Sequence, residues 1–246
     1  MKFNQIKYLL LALLAVVIIP LSSCTEPEIE PDQGNLEIRL HHYADSNLVK
    51  PNELIHKNLA GYSYSVTRLE YYLSNFTLVG TKDGSHKVEH AQYISFDDSS
   101  TSDFTLQKIP FGDYSEIVFN FGLHPLQNIS YSLPNTPENI GMAWPESMGG
   151  GYHFMKFEGK YLFQAKKIGY AIHLGTDICT LQISIPINVT IDDNNTAIDI
   201  AMDLNQWMEN PNTYDFERDG SYTMGDTITM TLVRDNGHTV FKLHKN

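Results

Sequence analysis

Apolar residues recur at every second position in one segment of this chain after another. Leu36, Ile38, Leu40 and His42 share one face of the first such segment, with Glu37, Arg39, His41 and Tyr43 on the other. Leu181, Ile183, Ile185 and Ile187 form a second face, and Ile198, Ile200, Met202 and Leu204 a third, opposed by Asp199 and Asp203. A period of two sends successive side chains to opposite sides of an extended backbone, so each segment predicts a strand with one buried face. Residues 62–78 are rich in Tyr, Val, Leu and Phe, and their parity changes near 66–69 and again at Ser74-Asn75, which predicts bulges or a break. Lys82-Asp83-Gly84 predicts a hairpin turn into 88–96, and Ile109-Pro110-Phe111-Gly112 a turn ahead of a strand over 116–121. Further strands are expected over 152–161 and 170–174, and one helical turn over 204–209. Asp235-Asn236-Gly237 predicts a closing hairpin between 227–233 and 239–244. No long helical period is evident. Short strands with turn signals between them imply an all-β fold, a single antiparallel β-sandwich with long loops over residues 35–246.

The N-terminus has its own logic. Lys2 and Lys7 precede an apolar run from Leu9 to Ile19 that is too short to span a bilayer comfortably, and Leu21-Ser22-Ser23-Cys24 matches the bacterial lipobox. Residues 1–23 therefore read as a lipoprotein signal peptide and Cys24 as the lipidated residue, whose thiolate takes the diacylglycerol. Residues 24–34 are acidic, rich in proline and aperiodic, a solvated tether. Cleavage removes Lys2 and Lys7 and no acid, taking 17 basic against 29 acidic residues to 15 against 29, and the charge from −12 to −14. Such a surface argues against nucleic acid, whose binding rests on neutralised phosphates. The expected location is the outer membrane, lipid-anchored on its periplasmic or surface face, with the membrane met through Cys24. With Cys24 acylated, Cys179 has no partner and is expected to be an inert buried thiol.

Chemistry concentrates between Gly141 and Cys179, a span holding Trp144, the Gly149-Gly150-Gly151 triplet, His153 and His173. Ten histidines are present without H-x-H or H-E-x-x-H spacing, so a metal site would be assembled from separate strands. His173 lies opposite Ile172 and Leu174 and ahead of Gly175, where its imidazole could line a cavity or serve as a hydrogen-bonded structural residue. His153 shares parity with Met155 and Phe157, which favours the core, although the glycines before it could present it to a ligand. His42 has core parity, and His124 sits in the long loop from Gly122 to Pro145 and could approach Trp144. Trp144 itself fits a plug at the end of the sandwich, or a sugar platform with Tyr152. No serine-hydrolase elbow or phosphate loop occurs, and no catalytic role is expected.

Several segments share an order found elsewhere. Residues 66–75 (VTRLEYYLSN), 104–114 (FTLQKIPFGDY), 119–123 (FNFGL), Met142-Ala143-Trp144 with 151–159 (GYHFMKFEG), His173-Leu174-Gly175, and 235–241 (DNGHTVF) run in the order of motifs of the MbnP-like family. The chain is similar to that family of periplasmic or surface copper-binding proteins, many of which are Bacteroidetes lipoproteins. The resemblance implies a copper ion held by histidines together with a kynurenine, made by oxidising a family tryptophan with a dihaem peroxidase-type partner. Trp144 stands where the first Trp of the family's W-x-W pair stands, while Pro145-Glu146 replaces the rest of it. Asn128 is followed by Ile129 where one branch has Asn-His. The implied ligand set is drawn from His173, His153, His124 and His42 beside Trp144, for storage or handover of copper, with binding that favours the oxidised ion and weakens as imidazole protonates. The alternative is a metal-free module recognising glycan or protein, or a structural envelope component.

Overall fold

The alternating segments form strands where their patterns place them. The structure, a computed structural model, describes residues 32–82, 84–193 and 196–244; the signal segment, Cys24 and nearly all of the tether lie outside these residues. Strand β1 (Gln33–Ala44) alternates without a break and buries Leu36, Ile38, Leu40 and His42. It begins at Gln33, two residues inside the expected tether.

Chain order continues through β2 (Asn47–Leu48), β3 (His56–Lys57), β4 (Ser63–Gly80), β5 (Ser85–Ser95), a helical turn α1 (Ser99–Ser102), β6 (Asp103–Pro110) and β7 (Gly112–Phe121). After a long loop holding α2 (Pro137–Gly141) come β8 (His153–Phe163), β9 (Lys166–Gly175), β10 (Leu181–Ile191) and β11 (Thr196–Asp203). The chain ends with α3 (Thr227–Asn236) and β12 (Phe241–Leu243).

Two sheets result. One runs β12-β11-β1, with β6 and β2 also on β1; the other runs β10-β7-β4-β8-β9, with β5 and β3 on β4. All pairings are antiparallel except β1 with β11, so the sandwich is largely antiparallel. Aromatic rings join the layers: Phe119, Phe121 and Tyr71 of the larger sheet meet Phe241 of the smaller at centroid distances of 5.5–6.4 Å. Each such ring, fully buried, contributes about 1.5–3 kcal/mol through the water it sheds.

The parity changes in β4 are bulges within one continuous strand. Pairing with β8 shifts between Val66 and Arg68, and pairing with β5 shifts between Ser74 and Phe76, where Asn75 has φ of 52°. The turn after residue 204 is a short 3-10 helix, Leu204–Met208. Asp203, expected on the solvated face, is buried because its carboxylate caps that turn and accepts from the backbone N–H of Asp45.

The closing hairpin is not there. Residues 227–236 are the helix α3, because Asp226 caps it: its carboxylate accepts the N–H groups of Ile228 and Thr229. Met230 and Val233 turn inward, and Asn236 lies in right-handed helical backbone, donating to the carbonyls of Trp207 and Asn212. Thr, Ile and Val gave this segment the composition of a strand, but the cap and tertiary burial decide its conformation.

Candidate metal centre

Part of the outer face of the larger sheet, around Tyr72, Lys156 and His173, is covered from water. Register places Arg68, Glu158 and Ala171 in one row across β4, β8 and β9, and Glu70, Lys156 and His173 in the next. The intervening rows, Leu69-Phe157-Ile172 and Tyr71-Met155-Leu174, point into the core. Loop 122–152 lies over this polar checkerboard. Tyr72 donates to Asn139 Oδ1 at 2.6 Å, and the Lys156 ammonium donates to the Gly141 carbonyl.

His153 reaches this outer face through a bulge. Its parity predicts the core side, with Met155 and Phe157. Instead, His153 pairs with Gly175 and Met155 with Leu174, so β8 takes two steps where β9 takes one. The extra residue at Phe154 reverses the side on which His153 emerges and places it with His173 and Gly175. Phe154 itself fills the space left by Gly122, whose added Cβ would fall 2.3 Å from the Phe154 ring.

Trp144 is fixed across from His153. The Trp144 N–H donates to the Gly151 carbonyl at 2.9 Å, and the His153 N–H to the Met142 carbonyl at 2.6 Å, so two short backbone segments pair around the glycine triplet. Gly149, Gly150 and Gly151 all have positive φ (108°, 70° and 85°), which makes the triplet a tight turn rather than a loose hinge. The Trp144 indole donates to the Met148 carbonyl at 3.1 Å and lies over Gly175, where a Cβ would come within 2.4 Å of the ring. Trp144 thus covers the outer face of a strand pair. Trp144 and Tyr152 are 2% and 3% exposed, too enclosed to stack a sugar.

Three rings meet here. Trp144 and His153 have centroids 4.7 Å apart, and His153 and His173 lie 5.1 Å apart, nearly perpendicular. His153 Nδ1–H donates to the Met142 carbonyl at 3.1 Å, which leaves the lone pair of the neutral ring on Nε2. His173 Nε2–H donates to Glu158 Oε1 at 2.8 Å, which leaves its lone pair on Nδ1. Both free nitrogens are buried and have no hydrogen-bond partner among the described residues. Leaving a buried polar atom unpaired costs about 1–3 kcal/mol, and here two such atoms belong to touching rings.

The surrounding groups keep His153 neutral and hold both rings in place. Burial, with the Lys156 ammonium beside it, lowers the His153 pKa to about 3. The hydrogen bond from His173 holds the Glu158 carboxyl below its ordinary value against the opposing effect of burial, and the Arg68 guanidinium stands 3.6 Å away. Burial and Arg68 lower the Lys156 pKa. Thr223 secures the strand itself: its hydroxyl donates to the His173 carbonyl at 2.7 Å and accepts the His173 N–H at 2.8 Å.

The other candidates lie apart. His42 sits between the sheets, where Nε2 meets the Tyr71 hydroxyl at 2.9 Å. His124 lines a groove with Asn75, Lys87 and Gln182, and its Nδ1 accepts the Leu126 N–H. Cys179 is a buried free thiol whose pKa is raised by burial. Among the described residues, no three His, Cys, Asp or Glu side chains gather to hold a metal. Glu158, Lys156 and Thr223 escaped sequence reading. Lys156 and Glu158 alternate with the core residues Met155 and Phe157, as any solvated strand face would, and Thr223 carries no local signal.

These features define a two-sheet β-sandwich that holds a buried pair of histidines against a tryptophan where loop 122–152 covers its outer face. Comparison with known proteins gives that class a family. The sequence model of MbnP matches residues 33–228, and the chain belongs to the MbnP family. A solved structure, MbnP from Methylosinus trichosporium, shares the fold with a TM-score of 0.51 at 14% identity, over 74% of this chain and 80% of that one. No curated protein matches the sequence.

Proposed function

We propose that this protein binds a copper ion for storage or handover in the cell envelope, anchored there by lipid on Cys24, and that it is not an enzyme. The observation that carries the reading is a pair of buried imidazole nitrogens without partners, His153 Nε2 and His173 Nδ1, on rings whose centroids lie 5.1 Å apart. Each ring is held from behind, one by the Met142 carbonyl and the other by Glu158. Ligating histidines are fixed in this way, because the hydrogen bond sets the tautomer and makes the outward nitrogen more basic. Imidazole suits copper, zinc and nickel. Copper is favoured by family membership together with Trp144, which lies against His153 and whose oxidation to kynurenine by a dihaem partner would add an amine and a ketone next to the pair. Copper, when bound, would supply a single charged centre for transfer; the protein supplies imidazole donors, exclusion of water and a fixed approach.

The test is copper titration against a competing chelator, using protein from its native host whose intact mass shows whether Trp144 has lost one carbon and gained one oxygen. Wild-type protein should take up one copper ion and lose Trp144 emission, and His153→Ala and His173→Ala should each abolish uptake. Unchanged affinity in both variants overturns the assignment.

A further inference from the structure

Beside the metal centre, on the far side of the Trp144 turn, loop 122–152 encloses a cavity of about 490 Å³. That size is typical of a small-molecule site. Its wall is mostly apolar: Leu133, Ile140, Ala143 and Pro145, closed beneath by Trp144 and Tyr152. Tyr131 and Ile140 line it while remaining 85% and 60% exposed, so folding leaves both with apolar surface uncovered.

Polar groups line it as well: Ser130, Glu146, Asn135 and Asn139. Gly150 lacks a side chain, and a Cβ there would come 2.6 Å from Ser130 Oγ and 2.8 Å from Glu146 Oε2. The hydroxyl and the carboxylate therefore converge on the same bare stretch of backbone. Ser130 Oγ already accepts the Gly151 N–H at 2.7 Å, which fixes its position. The Glu146 carboxylate forms no hydrogen bond or ion pair with any described residue, although the Glu146 carbonyl accepts the Gly149 N–H, and no Lys, Arg or His lines the cavity. The lining thus carries one carboxylate without a counter-charge, the Ser130 hydroxyl, the amides of Asn135 and Asn139, and apolar surface ending in an exposed tyrosine ring.

We infer that this cavity binds a small organic ammonium ion, its charged nitrogen between Glu146 and Ser130 and its apolar body against Leu133, Ile140 and Tyr131. A carboxylate accepts from an ammonium N–H in a charge-assisted bond, and a cation near an aromatic face gains further attraction from the ring. An anion would meet Glu146 without a counter-charge, and a neutral apolar molecule would strand the carboxylate. The site is separate from the histidine pair and does not depend on metal.

The experiment is titration of the metal-free, full-length mature protein with phenethylammonium, followed by calorimetry and by NMR shifts of the loop. Saturable one-to-one binding is expected, with 2-phenylethanol and phenylacetate each at least tenfold weaker. Glu146→Gln should weaken phenethylammonium at least tenfold, and Tyr131→Ala should weaken both it and 2-phenylethanol. Both side chains are exposed, so an unchanged urea midpoint should confirm intact folding. His173→Ala should leave this binding unaltered, which separates the site from the metal centre. Absence of saturable binding, or equal affinity for 2-phenylethanol, overturns the inference.

Discussion

Glu158 grips His173 by one nitrogen, and the chemistry falls to the other. Replacing Glu158 with Gln keeps the shape and removes the charge that orients and polarises the ring, so copper affinity should fall by about 10–100-fold while the protein stays folded. An unchanged chelator competition curve would show that Glu158 serves only the Arg68 ion pair at 3.6 Å. Gly175 matters through absence. A methyl group there would press on the Trp144 ring from 2.4 Å, so Gly175→Ala should cost about 1–3 kcal/mol of stability through overpacking and shift Trp144 emission. Urea unfolding read by circular dichroism and by fluorescence checks both parts. Sequence reading singles out Trp144, His153 and His173 in the span from Gly141 to Cys179 but not the roles of Glu158 and Gly175, since nothing local tells a carboxylate that holds a buried imidazole from a surface one.

Among the elements, β8 and β9 carry the site, and a single irregularity makes it possible. Had β8 run regularly, His153 would lie under Phe157 in the core and the two imidazoles would face opposite sides of the sheet. The bulge at Phe154 reverses that, and alternation alone cannot reveal it because the neighbours on both sides remain apolar. Residues 221–223 then close the edge of β9 beside His173. Thr223→Val keeps the volume but strips partners from the His173 N–H and C=O. About 2 kcal/mol of stability should be lost, and hydrogen exchange should quicken at His173 before it does in β4. Equal exchange rates in the variant and the wild type would remove Thr223 from that role. Helix α3 teaches the complementary lesson: Asp226-Thr227 is a legible cap signal, yet it is outweighed on paper by β-branched composition and by Asn236-Gly237.

Across the whole molecule, buried neutral histidines set the response to acid. His42 and His153 have pKa values lowered to about 3, in both cases chiefly by burial, from 6.5 for an exposed imidazole. Between those limits the unfolded chain binds a proton at each site and the folded chain does not. Stability therefore falls as pH drops from 6.5 towards 3, by about 1.4 kcal/mol per pH unit for each histidine. His42→Gln should flatten the decline of urea midpoints between pH 6 and pH 4, and a slope equal to that of the wild type would contradict the linkage. On the proposed copper reading, protons would compete for His153 only near pH 3, below the ordinary imidazole range.

By itself the sequence determines most of the strands, most of their buried faces, and that the fold is an all-β sandwich, because a period of two has one physical meaning along an extended chain. It also marks the span from Gly141 to Cys179 as the place where chemistry gathers. It misplaces residues 227–233 and the side on which His153 emerges. Only the tertiary structure decides that His153 joins His173, that both lone pairs are left without partners, and that Glu146 faces an apolar cavity. Those outcomes depend on a bulge, on register between strands, and on glycines that let rings and backbone approach. Each is a relation between residues distant in sequence, and no local pattern encodes it.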